Sequence, residues 1–178
     1  MRLTTILIAL AVAAVPAMAP AALKEGATAP DFTTTGALGG KPFKLRLKEQ
    51  LRHGPVVLYF YPKAFTQGCT LEAHAFSEAA ADFRKAGARV VGMSGDDYET
   101  LRRFSVEECR NAFPVATATA ATIDAYDVRL KPGLQLSNRT SYVIAPDGTI
   151  VHAYSNPDWK DHVTGALAAV NAWKARKK

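Results

Sequence analysis

Two short apolar runs separated by an amphipathic stretch constrain this chain more than anything else in it. Pro55-Val56-Val57-Leu58-Tyr59-Phe60-Tyr61 is mostly β-branched and aromatic, with Gly54 before it and Pro62 after it. A run that is apolar on both faces predicts a strand buried at the centre of a sheet. Ala73, Phe76, Ala80 and Phe83 then recur at three- and four-residue spacing up to Gly87, which predicts a helix of about five turns with one apolar stripe. Ala88-Arg89-Val90-Val91-Gly92-Met93 predicts a second strand. Strand, helix, strand in that order pairs in parallel, because the helix returns the chain to the same end of the sheet.

The remaining signals are local turns and caps. Thr140-Ser141-Tyr142-Val143-Ile144 and Thr149-Ile150-Val151-His152-Ala153-Tyr154 flank Pro146-Asp147-Gly148, and Asp-Gly between strand-like runs predicts an antiparallel hairpin. Phe32 to Leu45, with Gly36, Gly39 and Gly40, predicts another hairpin at the N-terminal side. Asp97 fits the N-cap of a helix running through Leu101 and Phe104 to about Cys109. A final amphipathic helix is expected from about Asp158 to Lys174. The order is hairpin, then βαβα, then ββα. That predicts an α/β fold with a mixed central sheet flanked by helices and an N-terminal β-hairpin, the arrangement of thioredoxin-like folds.

The chain has 178 residues, 48% hydrophobic and 21% charged, which suits one domain and excludes a disordered or fibrous chain. A net charge of +6 invites a nucleic-acid reading, but Arg2 and the tail residues Lys174, Arg176, Lys177 and Lys178 account for all but one of those charges. The body is nearly neutral, so no nucleic-acid partner is expected. At the N-terminus, Arg2 precedes a ten-residue apolar stretch from Ile6 to Val15, and the small residues of Pro16-Ala17-Met18-Ala19-Pro20-Ala21-Ala22 follow. This is the three-part pattern of a secretory signal peptide, cleaved after Ala21 or Ala22. A membrane anchor is the competing reading, but ten apolar residues fall short of the roughly 20 a spanning helix needs. The expectation is a signal over 1–21, a single domain over 22–178, no stable membrane insertion, and export, in a bacterium to the periplasm.

Chemistry concentrates in Tyr61-Pro62-Lys63-Ala64-Phe65-Thr66-Gln67-Gly68-Cys69-Thr70-Leu71-Glu72. This loop leaves the carboxyl end of a parallel strand, where α/β sheets place ligands. Thr66 can cap the following helix, so Cys69 falls in its first turn. Unpaired N–H groups and the helix dipole there favour a thiolate. Gly68 leaves room for a small ligand at the backbone. A buried structural cysteine, or half of a permanent disulfide, is the bland alternative. The polar or small neighbours Thr66, Gln67, Gly68 and Thr70 speak against burial.

These residues resemble a known family. Pro62, Thr66 and Cys69 reproduce the Pro-x-x-x-Thr-x-x-Cys signature of the peroxiredoxins. The surrounding Val57-Leu58-Tyr59-Phe60-Tyr61-Pro62-Lys63 and Gly68-Cys69-Thr70 look most like the bacterioferritin-comigratory, or peroxiredoxin Q, branch. Gly26-Ala27-Thr28-Ala29-Pro30-Asp31-Phe32 is similar to that family's opening, and Arg139, ahead of Thr140-Ser141-Tyr142-Val143-Ile144, matches its arginine. The resemblance spans residues 24–173.

It implies a thiol-dependent peroxidase for hydrogen peroxide and organic hydroperoxides. Cys69 would attack the terminal peroxide oxygen and become a sulfenic acid. Thr66 would hold thiolate and peroxide together through one hydroxyl. Arg139 would stabilise the thiolate and the developing oxyanion, and Pro62 would shield the sulfur from water. Many members of this branch resolve the sulfenic acid with a cysteine five residues on, a position held here by His74. The resemblance therefore implies Cys109 as resolving candidate, with Glu107 and Glu108 raising its thiol pKa. A one-cysteine enzyme resolved by an external thiol stays open.

The expected electron donor is a thioredoxin-like or other thiol reductant, and the expected state a monomer or weak dimer. An exported thiol–disulfide oxidoreductase on the same fold is the alternative, although it would normally need Cys-x-x-Cys and Thr66 stands at the earlier position. No cofactor and no metal are expected, since His53, His74, His152 and His162 have no ligand spacing. Asp158 and Asp161 read as helix N-terminal charges.

Overall fold

The computed structural model describes residues 22–177; the expected signal over 1–21 lies outside them. In chain order they form β1 (Thr33–Leu38), β2 (Lys41–Arg46), α1 (Leu47–Leu51), β3 (Val56–Phe60), α2 (Gln67–Ala86), β4 (Arg89–Ser94) and α3 (Tyr98–Glu107). There follow β5 (Val115–Thr117), α4 (Ala120–Ala125), β6 (Thr140–Ile144), β7 (Ile150–Ser155) and α5 (Lys160–Arg176). The strands make one sheet in the order β2-β1-β5-β4-β3-β6-β7. β3 pairs in parallel with β4, and β4 with β5, while every other pairing is antiparallel. The mixed, helix-flanked sheet with its N-terminal hairpin is thus present.

Three elements have no counterpart in the pattern reading: α1, β5 and α4. Each is six residues or shorter, too brief to establish a period. β5 matters most, because it joins the N-terminal hairpin to the sheet by lying between β1 and β4. The join depends on Gly36, where a Cβ would stand 2.0 Å from the Val115 carbonyl oxygen. α3 also ends earlier than expected, with Glu108 as its C-cap, so Cys109 lies outside the helix.

β3 is buried at every residue and sends alternate side chains to the two faces of the sheet. Val57, Tyr59 and Tyr61 join a core with Phe76 and Phe83 of α2, Phe104 of α3 and Val163 and Val170 of α5. Val56, Leu58 and Phe60 join a second core with Leu45, Ile123, Tyr126 and Tyr142. The apolar stripe of α2 therefore rests on β3, and Gly87, in the left-handed conformation at φ 87°, closes the helix. This packing fixes where the first turn of α2 meets the ends of β3 and β4. Among the described residues no helix is long and apolar enough to cross a membrane.

Candidate active site

The chain leaves β3 through a tightly tied loop. The Tyr61 N–H donates to the Met93 carbonyl at 3.0 Å, and the Ser137 hydroxyl donates to the Tyr61 carbonyl at 2.9 Å. Asp96 accepts from the Ala64 N–H at 2.8 Å and from the Ser94 hydroxyl at 2.7 Å through one oxygen. Phe65 sits at φ 61°, a conformation bulky side chains avoid. Its ring packs edge-on to Phe104 at 5.2 Å and beneath the Arg103 guanidinium at 5.1 Å. The loop is thus held from β4, α3 and the segment before β6, and it delivers the start of α2 to one place.

Thr66 is the N-cap residue of α2, as its position implies, but its side chain does not cap the helix. The hydroxyl turns back and donates to the Lys63 carbonyl at 2.9 Å. Its proton is therefore committed, and what it offers an incoming hydroxyl is an acceptor.

Cys69 lies in the first turn of α2, but it is only 2% exposed, against the expectation drawn from its polar neighbours. Those neighbours lie on other faces of the helix, while Cys69 shares the inward face with Glu72, Ala73 and Phe76. The room left by Gly68 is also taken from within the protein: a Cβ there would come 3.2 Å from Nη2 of Arg139. The space admits the guanidinium.

Arg139, just before β6, is 8% exposed and makes three side-chain contacts. Its Nη2 lies 3.6 Å from the Cys69 Sγ, its Nε donates to the Pro157 carbonyl at 3.0 Å, and its Nη1 pairs with Glu72 Oε2. Burial alone would weaken this cation, but Glu72 and Cys69 beside it outweigh burial and hold its pKa above the ordinary value. The guanidinium thus places a charged donor on the sulfur. Pro62 and Arg139 share a cavity of about 310 Å³, which Leu130, Asn156 and Pro157 also line. Arg139 thus meets Cys69 and shares a cavity wall with Pro62, while Thr66 stands three residues ahead of Cys69.

Glu72 carries no role in the sequence reading, and the structure makes it the partner of Arg139. It is fully buried three residues after Cys69 on the same helical face, a spacing visible in the sequence. Burial pushes its carboxyl up to about 8, against the pull of Arg139. Its Oε1 accepts no hydrogen bond and stands 3.9 Å from Nδ1 of buried His162. No local pattern singles out His162, Ser137 or Asp96.

Cys109 is a free, fully buried thiol in the same core as Cys69, itself a free thiol. Its pKa is raised first by burial and then by Glu108. Glu107 is not a cause, since its carboxylate pairs outward with Arg103 at 3.1 Å. Glu108 also meets His74 Nε2 at 2.7 Å, so the residue at the usual resolving position latches the Cys109 segment to α2. Arg110 and Asn111 follow at φ 49° and 59°, two consecutive left-handed residues that are not glycine. Among the described residues no three His, Cys, Asp or Glu side chains are grouped to hold a metal ion. Asp161 lies in the first turn of α5, and Asp158 accepts from the Lys160 N–H, so both serve the helix start.

The sequence profile of the AhpC/TSA family matches residues 26–153. A putative peroxiredoxin bcp of Helicobacter pylori is 33% identical over 153 residues, covering 83% of this chain and 98% of that protein. Chloroplastic peroxiredoxin Q of Sedum lineare is 34% identical over 142 residues, 76% of this chain and 71% of the other. Among solved structures, peroxidoxin BcpB of Mycobacterium tuberculosis superposes with a TM-score of 0.76 at 33% identity, covering 84% of this chain and 97% of that one. Family match, relatives of bcp and Q type and a shared architecture agree: this chain belongs to the AhpC/TSA family and is a peroxiredoxin.

Proposed function

We propose that this peroxiredoxin reduces hydroperoxides through Cys69, with Arg139, Thr66 and Pro62 as the groups around the reacting atoms. The observation that carries the reading is the guanidinium of Arg139 on the Cys69 sulfur, fixed there by Glu72 and Pro157. In the reaction the thiolate attacks the terminal oxygen of ROOH. The new S–O bond forms as O–O breaks, and the leaving RO⁻ takes up a proton to give ROH. Arg139 offers positive charge to both the thiolate and the departing oxygen. Thr66 accepts from the peroxide O–H, and Pro62 lines the approach.

Resolution by Cys109 completes the cycle: its sulfur displaces water from the sulfenic acid and leaves a Cys69–Cys109 disulfide. Both thiols are buried in the core, and the step as proposed goes through local opening of the first turn of α2 and of the segment after α3. The left-handed pair Arg110–Asn111 supports the second opening. A thiol reductant of thioredoxin-like chemistry then restores both thiols. The pattern in residues 1–21 supports export, and with it a reductant outside the cytosol. N-terminal sequencing of the chain recovered from fractionated cells checks this, and a chain still beginning at Met1 overturns it. A monomer or weak dimer completes the reading, to be measured by light scattering. The thiol–disulfide exchange alternative has no supporting observation, since Thr66 stands where the second cysteine would be needed.

One oxidation series tests the chemistry. With one equivalent of hydrogen peroxide the wild type forms the disulfide, Cys109→Ser stops at a sulfenic acid on Cys69, and Cys69→Ser consumes no peroxide. An unoxidised Cys69 in the wild type would sink the peroxidase assignment. Normal turnover of Cys109→Ser with a dithiol reductant would sink the internal disulfide.

A further inference from the structure

Arg139 is gripped twice by the turn that follows β7. Its carbonyl accepts from the Asn156 N–H at 3.2 Å, while its Nε donates to the Pro157 carbonyl. That turn is in turn held by His162, a fully buried residue in the first turn of α5. Nε2 of the imidazole lies 2.9 Å from the Asn156 carbonyl oxygen, and Nδ1 lies 2.8 Å from the Ser141 hydroxyl. A carbonyl can only accept, so the proton sits on Nε2. Nδ1 is then bare and accepts from Ser141. Both contacts suit a neutral imidazole, and burial keeps the ring neutral down to about 4. Tyr154 closes one side of it at a ring separation of 4.8 Å.

We propose that His162 is a positioning residue for Arg139: by donating from Nε2 to Asn156, it fixes the turn whose Pro157 carbonyl aims the guanidinium at Cys69. This rests on Cys69 being the reactive thiol. The consequence is that the placement of the guanidinium on Cys69 is set partly from α5, through one hydrogen bond that touches neither sulfur nor substrate. The other ring nitrogen is bonded to Ser141 of β6 and stands 3.9 Å from Oε1 of Glu72, whose second oxygen pairs with Arg139.

Two near-isosteric substitutions separate these bonds. In His162→Gln the side-chain amide occupies the place of Nε2 and keeps the donor to Asn156. In His162→Asn the amide occupies the place of Nδ1, so the contact with Ser141 survives and the bond to Asn156 is lost. The readout is the rate at which iodoacetamide alkylates Cys69 at neutral pH in a Cys109→Ser background, together with the ultraviolet thiolate band. His162→Gln and Ser141→Ala are expected within about twofold of the parent. His162→Asn is expected about tenfold slower with a weakened thiolate band, the worth of one hydrogen bond. Equal rates for the Gln and Asn variants overturn the proposal, as do rates that merely follow each variant's unfolding temperature. Alkylation needs no peroxide, so failure of the peroxidase assignment and failure of this proposal read out separately.

Discussion

A carboxyl buried three residues from Cys69 and paired with an arginine invites the assumption that it is a simple salt-bridge anion. Glu72 is more than that, because burial holds its pKa near 8 even with Arg139 against it. The folded protein therefore binds this proton more tightly than the unfolded chain does. The resulting stabilisation is complete below the ordinary carboxyl value and is lost as pH rises through about 8. Unfolding midpoints in urea measured across neutral to mildly alkaline pH are expected to fall, and Glu72→Gln, which cannot ionise, should flatten that slope. An unchanged slope in the variant would show that another group titrates. At the same scale Cys69 shows how little near neighbours in sequence say about burial, since helix geometry turns residues 66–68 and 70 away from the face that Cys69 shares with Phe76.

Two helix starts look alike in sequence and differ in structure. α2 and α3 each begin after a residue with capping chemistry, Thr66 and Asp97. Only Asp97 caps, accepting from the Thr100 N–H at 2.8 Å, whereas the Thr66 hydroxyl serves the loop behind it. Asp97→Ala is accordingly expected to lower stability with peroxide turnover intact. Thr66→Ala should leave stability within a few tenths of a kcal/mol while slowing turnover. Chemical denaturation and peroxide consumption on both variants check the crossed pattern; a stability loss in Thr66→Ala comparable to that of Asp97→Ala would contradict it. The segment after α3 belongs to the same scale. Beside its left-handed pair, its tie from Arg110 to Glu78 and its latch between Glu108 and His74 hold it against α2.

The sheet is completed across the molecule by its shortest strand. β5 has three residues, yet it lies between the N-terminal hairpin and the parallel strands, and it approaches Gly36 too closely for any side chain there. Gly36→Ala is expected to shift β1 off β5 and lower the thermal midpoint by several degrees, with β3, α2 and the Cys69 site still assembled. Thermal unfolding followed by hydrogen exchange would localise the damage, and protection unchanged in β1 would refute it.

By itself the sequence determined the strand–helix–strand unit, both hairpins, the start and stop of α2 and the place of Cys69 in its first turn. These follow from periodicity and turn residues within a few positions of one another. Pro62, Thr66 and Arg139 were legible through resemblance to a family. Only the tertiary structure decided that Cys69 is buried, that Arg139 is shared among Cys69, Glu72 and Pro157, that Cys109 lies beyond its helix, and that His162 stands behind the site. Glu72 and Cys69 meet Arg139 across 67 and 70 residues of chain. Such contacts depend on how α2, α5 and β6 pack together on one face of the sheet and bring distant side chains together, and no local pattern encodes that.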